Sequence, residues 1–116
     1  MTVIKWFCTQ RPNRGEVALK WEFPGGKIES GETREEALIR EIKEELKSDI
    51  KVEEYIMTIQ HKCKTFDLTM YAYKCRLISG NLELTEHVDA KWMKKSELKS
   101  LDWAEADKDL VIKLCI

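Results

Sequence analysis

A glycine-rich turn that leads into a glutamate-rich helix constrains this chain more than any other feature. Residues 26–45 read GKIESGETREEALIREIKEE. Thr33 is a good N-cap and Glu36 completes a capping box, so the helix is expected to begin here and to run to about Lys47. Pro24 and the two glycines after it break the preceding extended segment. The chain therefore places a helix directly behind a tight loop.

The helix carries apolar and acidic side chains on different parts of its circumference. Its apolar residues recur at helical spacing and predict the face that packs on a core. They are Leu38, Ile39, Ile42 and Leu46. Three carboxylates, Glu41, Glu44 and Glu45, lie three and four positions apart and are expected to crowd together. Because clustered hard oxygen ligands suit Mg²⁺ or Mn²⁺, this pattern predicts a divalent-metal site that handles phosphates.

The same segment resembles the signature of the Nudix hydrolases, the Nudix box. That signature runs Gly, five residues, Glu, seven residues, Arg-Glu, an aliphatic residue, any residue and Glu-Glu, and each fixed position is matched here. The matching residues are Gly26, Glu32, Arg40, Glu41, Ile42, Glu44 and Glu45. After the box the family usually has Gly and an aliphatic residue, where this chain has Lys47 and Ser48. The missing glycine predicts a less sharply capped helix end.

Segments outside the box are similar to the MutT group, and closest to its CTP pyrophosphohydrolase-like members. These segments are Gln10–Pro12, Trp21–Glu29, Glu86–His87 and Leu101–Asp107. The resemblance implies the Nudix fold, an α/β class with an α/β/α sandwich around a mixed sheet, as one domain over residues 1–116. It also implies that the family's usual first strand is missing, because Met1–Ile4 stands where the second strand should begin.

The resemblance implies a role for each matching position. Metal would be bound by the Gly25 carbonyl and by Glu41, Glu44, Glu45 and Glu86. Catalytic roles fall on Glu41, as general base, and on Glu44. Substrate-binding positions are Arg11, Glu22, Phe23, Pro24 and Asp107. Gly26, Glu32 and Arg40 would be structural, with Glu32 and Arg40 forming an ion pair that braces the loop against the helix.

The implied reaction is hydrolysis of a nucleoside triphosphate by water at the β-phosphorus, with Mg²⁺ (or Mn²⁺) as cofactor. The products are a nucleoside monophosphate and pyrophosphate, and oxidised or methylated nucleotides are included, so the chain would sanitise the nucleotide pool. The alternative is a nucleotide-binding or assembly protein whose catalysis is weakened on a truncated Nudix scaffold. Intact box carboxylates favour the enzyme, whereas the missing strand favours the alternative.

Composition limits the partners of the chain. With 116 residues and a net charge of −1 it has no basic field for long nucleic acid. No apolar run approaches the length of a membrane span and no signal-peptide pattern is visible, so a cytoplasmic protein without membrane contact is expected. A monomer and a homodimer both remain open. The four cysteines lack a CxxC pair and are expected to be reduced; they are Cys8, Cys63, Cys75 and Cys115.

The remaining segments predict strands and two short helical pieces. Strands are expected at Val3–Thr9, Leu19–Phe23, Lys51–Lys62, Thr65–Leu77 and Val88–Met93. Ser96 is expected to cap a helical turn, and a helix should run from Ala106 to the end, with Leu110, Val111 and Leu114 inward. Trp6 and Trp92 are expected in the core. His61 and His87 could bind metal, but no partner stands at ligand spacing, so surface or packing roles are expected.

Overall fold

The computed structural model describes residues 5–15, 17–62 and 67–115. It confirms the predicted α/β class. The strands are β1 (Lys5–Gln10), β2 (Trp21–Glu22), β3 (Asp49–Lys62), β4 (Asp67–Ser79) and β5 (Asp89–Lys94). The helices are α1 (Arg34–Leu46), a 3₁₀ helix (Lys95–Ser100) and α2 (Glu105–Leu114). Among the described residues, no helix is long and apolar enough to cross a membrane.

The chain divides into two compact units, which are described separately. The sheet unit comprises Met1–Phe23, Ile59–Met70 and Glu86–Ile116, and the helix unit comprises Pro24–Thr58 and Tyr71–Thr85. The long strands β3 and β4 pair with each other as a separate two-stranded sheet and contribute residues to both units. The interpretation of residues 1–116 as one domain stays a prediction.

The sheet unit is built around β1, which lies between β2 and β5 and is antiparallel to both. Thr9 pairs with Glu22, and Gln10 pairs with Asp89. The predicted mixed sheet is thus antiparallel in this part, and its parallel pairing within the described residues is an isolated bridge between Trp21 and Trp103. The ends of three strands therefore meet around Gln10.

The core of the sheet unit lies between this sheet, the 3₁₀ helix and α2. Its buried cluster consists of Cys8, Trp21, Met93, Leu98, Trp103 and Val111. The indole Nε1 of Trp103 donates to the Leu98 carbonyl at 2.6 Å, so this large ring is buried without an unpaired donor. Burial raises the pKa of Cys8 to about 12, which keeps that thiol protonated and unreactive.

Helix α1 of the helix unit begins at the predicted capping box, which is confirmed. Thr33 Oγ1 accepts from the Glu36 amide at 3.1 Å, and the Glu36 carboxylate accepts from the Thr33 amide at 2.9 Å. Helix α1 ends at Leu46, and its C-cap Lys47 adopts φ +48°, in the left-handed region that favours glycine. The position that is usually glycine in the family thus has a glycine-like backbone with a lysine in it.

Several local predictions were wrong. Ile39 is exposed and Ala37 is buried instead, so the buried side of α1 extends from Ile42 towards Ala37 and not towards Ile39. Leu19 lies in a turn with φ +59° and is not extended. Ser96 does not cap the 3₁₀ helix; Lys94 precedes it, and its amide donates to Glu97.

The tryptophan and cysteine predictions had mixed outcomes. Trp92 is 53% exposed on β5, and its ring lies tilted against that of Phe7 across the sheet with ring centres 5.0 Å apart, so its assignment to the core was wrong. Trp6 is half-buried. Cys8, Cys75 and Cys115 are free thiols. The expectations for Cys63, for the start of the strand at Thr65 and for the missing first strand at residues 1–4 lie outside the described residues.

Candidate functional site

Arg40 is the centre of a charged network in the helix unit. Its Nε and Nη2 donate to the two oxygens of Glu32 at 2.8 and 2.9 Å, and Nη2 also donates to the Lys27 carbonyl at 2.9 Å. The expected brace between loop and helix is therefore present, and it is bidentate, the strongest geometry for this kind of pair. The guanidinium lowers the pKa of Glu32, and the carboxylates around Arg40 raise its own pKa above the usual range.

The same guanidinium holds two of the three predicted metal-binding carboxylates. Arg40 Nη1 lies 2.8 Å from Glu41 and 3.3 Å from Glu44. The Glu41 side chain is 15% exposed and that of Glu44 is 61% exposed. Within the described ranges, no group of three or more acidic, histidine or cysteine side chains is arranged so that it could hold a metal ion. Glu41 and Glu44 thus share one guanidinium nitrogen, and the metal-binding role of the three carboxylates stays a prediction.

The glycine turn lies directly against the carboxylate of Glu41. A methyl group added at Gly26 would overlap both oxygens of that carboxylate. Gly25 has φ +155°, a backbone conformation that residues other than glycine rarely adopt. Glu45, one turn further along α1, is half-buried, and its carbonyl accepts from Thr85 Oγ1 at 2.7 Å. The loop backbone at Gly26 thus lies directly against an acidic side chain of α1, because Gly26 has no side chain of its own.

The surface where this loop meets α1 fits a divalent cation by its chemistry. Backbone carbonyls and carboxylates are hard oxygen donors, which suit Mg²⁺ and Mn²⁺. The space that glycine leaves open at position 26 lets Glu41 approach the loop backbone. The donor set of the loop and α1 is therefore compatible with a cation, although Glu41 and Glu44 are bound to Arg40 in this arrangement.

A second polar network lies in the sheet unit. Arg11 Nη1 donates to Glu22 Oε1 at 2.8 Å, and His87 Nε2 lies 3.3 Å from Glu22 Oε2. Burial raises the pKa of Glu22, but the hydrogen bonds from His87 and Arg11 outweigh it and leave that pKa lowered overall. Glu22 is thus a buried carboxylate that stays ionised between two donors.

Asp107 is the other buried acid of the sheet unit. Its Oδ1 accepts from the Phe23 amide at 3.0 Å, and the residue is 9% exposed. Burial, helped by the charge of Glu22, raises the pKa of Asp107 to about 7, against a lowering effect of the Phe23 hydrogen bond. Near neutral pH this carboxyl is therefore present in both forms, and the protonated form can donate a hydrogen bond.

Two tryptophan rings pack against the ring of Phe23. The Phe23 ring stacks on Trp103 with ring centres 4.7 Å apart, and Trp6 lies tilted at 6.0 Å. The amide of Phe23 already donates to Asp107, so this segment is held on both its backbone and its side chain. An apolar surface with one titratable carboxyl is suited to an aromatic, hydrogen-bonding group such as a nucleobase.

The predicted site residues divide between the two units. The helix unit contains Pro24, Gly25, Gly26, Glu32, Arg40, Glu41, Glu44 and Glu45. The sheet unit contains Arg11, Glu22, Phe23, Glu86 and Asp107, of which Glu86 is exposed. Sequence reasoning treated His87 as a surface or packing residue and missed its contact with Glu22. Strand register could have indicated it, since His87 immediately precedes β5, but register is not visible in the sequence.

Comparison with known proteins agrees with the box signature. A family model described as NUDIX domain matches residues 4–113. The chain is 33% identical over 103 residues to CTP pyrophosphohydrolase of Escherichia coli (strain K12), covering 89% of this chain and 76% of that protein. It is 30% identical over 108 residues to 8-oxo-dGTP diphosphatase of the same organism, covering 93% and 84%.

A solved structure is similar over almost the whole chain. It is the solution structure of a protein described as DNA mismatch repair protein MutT, of the Nudix hydrolase family, from methicillin-resistant Staphylococcus aureus 252. The TM-score is 0.72 and the identity is 41%, and the match covers 96% of this chain and 85% of the other.

Proposed function

This chain belongs to the Nudix family of hydrolases, which act on the phosphoric anhydrides of nucleotides, and we propose that it is a Mg²⁺-dependent nucleoside triphosphate pyrophosphohydrolase. Nudix hydrolases generally use divalent metals. The proposed products are a nucleoside monophosphate and pyrophosphate. The proposed role is sanitation of the nucleotide pool, with oxidised or methylated deoxynucleotides among the substrates. Two relatives are named for CTP and for the oxidised nucleotide 8-oxo-dGTP, which supports nucleotides as the substrate class.

The contact of Glu41 with the glycine turn is the observation that carries the proposal. The bidentate pair of Arg40 and Glu32 joins the loop to α1, and the absence of a side chain at Gly26 lets the Glu41 carboxylate lie against the loop backbone. A solvated acidic helix would not need this arrangement. It supports a carboxylate that is held in place for chemistry at the loop.

In the proposed mechanism the helix unit handles the phosphates. The Gly25 carbonyl, Glu41, Glu44 and Glu45 would hold Mg²⁺, whereas the metal-binding role of Glu86 stays a prediction from the sequence. When bound, the cation supplies neutralisation of phosphate charge and acidification of a water. Glu41 accepts the proton of the attacking water as general base. Attack at the β-phosphorus breaks its bond to the oxygen that bridges to the α-phosphorus, so the nucleoside monophosphate leaves and the β- and γ-phosphates become pyrophosphate. Arg40 holds Glu41 in position through its Nη1 nitrogen, and Glu44 accepts a hydrogen bond from the same nitrogen.

Residues of the sheet unit would recognise the rest of the substrate. Arg11 is suited to a phosphate, because a guanidinium can grip phosphate oxygens with two donors. The segment of Glu22, Phe23 and Pro24, with Asp107 bonded to it, would contact the base. The raised pKa of Asp107 gives it both a donor and an acceptor form near neutral pH, so it can serve bases with either group.

A second candidate is a nucleotide-binding protein with weak or no turnover. One observation favours it: Glu41 and Glu44 are both bonded to Arg40, and the described residues contain no ready-made cation cluster. In that case Arg40 would compete with a cation for the same oxygens. Affinity for nucleotides would not separate the two candidates, whereas metal-dependent turnover does.

The test is a product analysis over a panel of nucleotides with Mg²⁺. Purified protein is incubated with CTP, dCTP, 5-methyl-dCTP, dGTP and 8-oxo-dGTP, and released pyrophosphate and monophosphate are quantified. We expect equal amounts of both products, and the fastest substrate identifies the physiological class. Release of inorganic phosphate in place of pyrophosphate would contradict the proposed reaction. Binding of all five nucleotides without any product would also contradict it and would support a nucleotide-binding protein without turnover.

A further inference from the structure

Three strand ends of the sheet unit bring together a chain of hydrogen-bonding side chains. Arg11 follows β1, Glu22 ends β2 and His87 precedes β5. The Thr9–Glu22 pair fixes the first two, and the Val88 amide donates to the Gln10 carbonyl at 3.0 Å and fixes the third. The side chains therefore meet because of strand register, and their positions depend on the same sheet.

Glu22 has both of its carboxylate oxygens engaged in this chain. Oε1 accepts from Arg11 at 2.8 Å, and Oε2 faces His87 Nε2 at 3.3 Å. Its side chain is mostly buried, and that of His87 is only 6% exposed. A carboxylate with both oxygens occupied is poorly placed to bind a ligand itself. Its effect on a ligand must pass through the groups it holds.

The Arg11 guanidinium is held at only one of its edges. Nη1 is bonded to Glu22, whereas the buried Nε has no hydrogen-bond partner among the residues that the structure describes. The Arg11 side chain is 38% exposed in spite of this buried nitrogen, so the rest of the guanidinium is accessible to an anion. His87 Nδ1 is likewise buried and without a partner in the described ranges, so Glu22 is the contact that defines its polar role.

We propose that His87 is a positioning residue: it holds Glu22, and Glu22 fixes the Arg11 guanidinium with its exposed part directed to a phosphate of the substrate. This inference rests on the proposed function, in which Arg11 contacts phosphate. His87 itself does not touch the reacting atoms. It sets the orientation of the guanidinium, so its loss weakens phosphate binding and leaves the hydrolytic step largely intact.

The test measures KM and kcat for CTP and the Kd of inorganic pyrophosphate in His87 variants. H87A is expected to raise KM and Kd roughly tenfold, the effect of losing one hydrogen bond to a charged group, with kcat within about threefold of the wild type. H87Q should restore both constants, because its amide nitrogen reaches the position of Nε2. H87N places its amide at the Nδ1 position and should behave like H87A.

A double-mutant cycle with R11A separates positioning from general packing. If His87 acts through Arg11, adding H87A to R11A changes neither KM nor Kd further, so the two effects are strongly non-additive. The matched control is H61A, which removes a similar histidine–carboxylate pair, with Asp109 at 2.9 Å, from the same unit. It should leave the Kd of pyrophosphate unchanged.

Each outcome decides the inference. Equal effects of H87A in the wild-type and R11A backgrounds, no rescue by H87Q, or a lower Tm with unchanged Kd would overturn it and leave His87 a packing residue. Absence of pyrophosphate binding by the wild type would also overturn it. If the wild type hydrolyses no nucleotide, the proposed function fails, but the pyrophosphate Kd of the variants still tests the link from His87 to Arg11.

Discussion

The two polar networks of this protein are assembled from different ranges of the sequence. In the helix unit, Arg40 bonds Glu32 eight positions before it and Glu41 and Glu44 one and four positions after it. In the sheet unit, Glu22 bonds His87 across 65 positions, and Phe23 bonds Asp107 across 84. Helix geometry and one loop suffice for the first network. The second exists only when the whole sheet has formed.

The two units also differ in the charge states of their acids. The hydrogen bonds from Arg40 lower the pKa of Glu32, so it is ionised at neutral pH. Asp107 is buried and its pKa rises to about 7. Glu32 can therefore carry a fixed charge, whereas Asp107 is sensitive to proton uptake and to packing.

The largest effect is expected from the carboxylates of the helix unit. E44Q and E45Q should each lower kcat by roughly 100-fold or more, as for loss of one electrostatic stabiliser, with little change in Tm. The matched control is E35Q, the same substitution at an exposed position of the same helix. Near-normal turnover in both E44Q and E45Q would remove the functional distinction between the two networks.

The glycine turn offers a second test of the helix unit. G26A introduces a methyl group where the Glu41 carboxylate lies, at a position without positive φ, so the side chain must move while the backbone stays unstrained. We expect a loss in kcat of about tenfold to 100-fold, the cost of misplacing a reacting group. K27A, beside it, is the control. Unchanged kcat in G26A would mean that the contact has no catalytic role.

These two predictions depend on features that helix spacing made visible. The capping box follows from fixed offsets along the chain, and the Arg40–Glu32 pair was implied by the resemblance to the box signature, whereas the bonds of Arg40 to Glu41 and Glu44 were not predicted. The environments of Trp92 and His87 could not be predicted, because their burial depends on which strand pairs with which. Trp92 lies on β5 opposite Phe7 and is exposed, whereas the His87 side chain, two positions before the same strand, is buried.

The buried acid of the sheet unit predicts a pH-dependent stability. The pKa of Asp107 is raised from 3.8 to about 7, so the stability it contributes is fully present below about pH 4 and is lost as the pH rises through about 7. D107N, which cannot ionise, should therefore be more stable than the wild type by about 2 kcal/mol at about pH 9.

Urea unfolding at about pH 5 and pH 9 measures this difference. The advantage of D107N should shrink at the lower pH, where Asp107 is mostly protonated in the folded protein. E105Q is the control, because Glu105 is exposed in the same turn of α2. An advantage of D107N that is equal at both pH values would show that Asp107 is not a strained charge, and the contrast with Glu32 would disappear.

The smallest expected effect concerns the end of α1. K47G replaces a lysine at φ +48° with the residue that adopts this conformation most easily, and should stabilise the protein by about 0.5–1 kcal/mol. K47A keeps the Cβ and should give no such gain. The free energy of unfolding of the two variants decides, and equal values would show that the backbone at position 47 is unstrained.

Metal-dependent release of pyrophosphate from CTP is the decisive measurement for the proposed Mg²⁺-dependent pyrophosphohydrolase activity. The rate is measured in the wild type with Mg²⁺, after removal of Mg²⁺ by a chelator, and after Mg²⁺ is restored. We expect turnover that disappears with the chelator and returns with Mg²⁺. Turnover that persists without any divalent cation, or a folded protein that binds CTP and never releases pyrophosphate, would contradict the proposed activity.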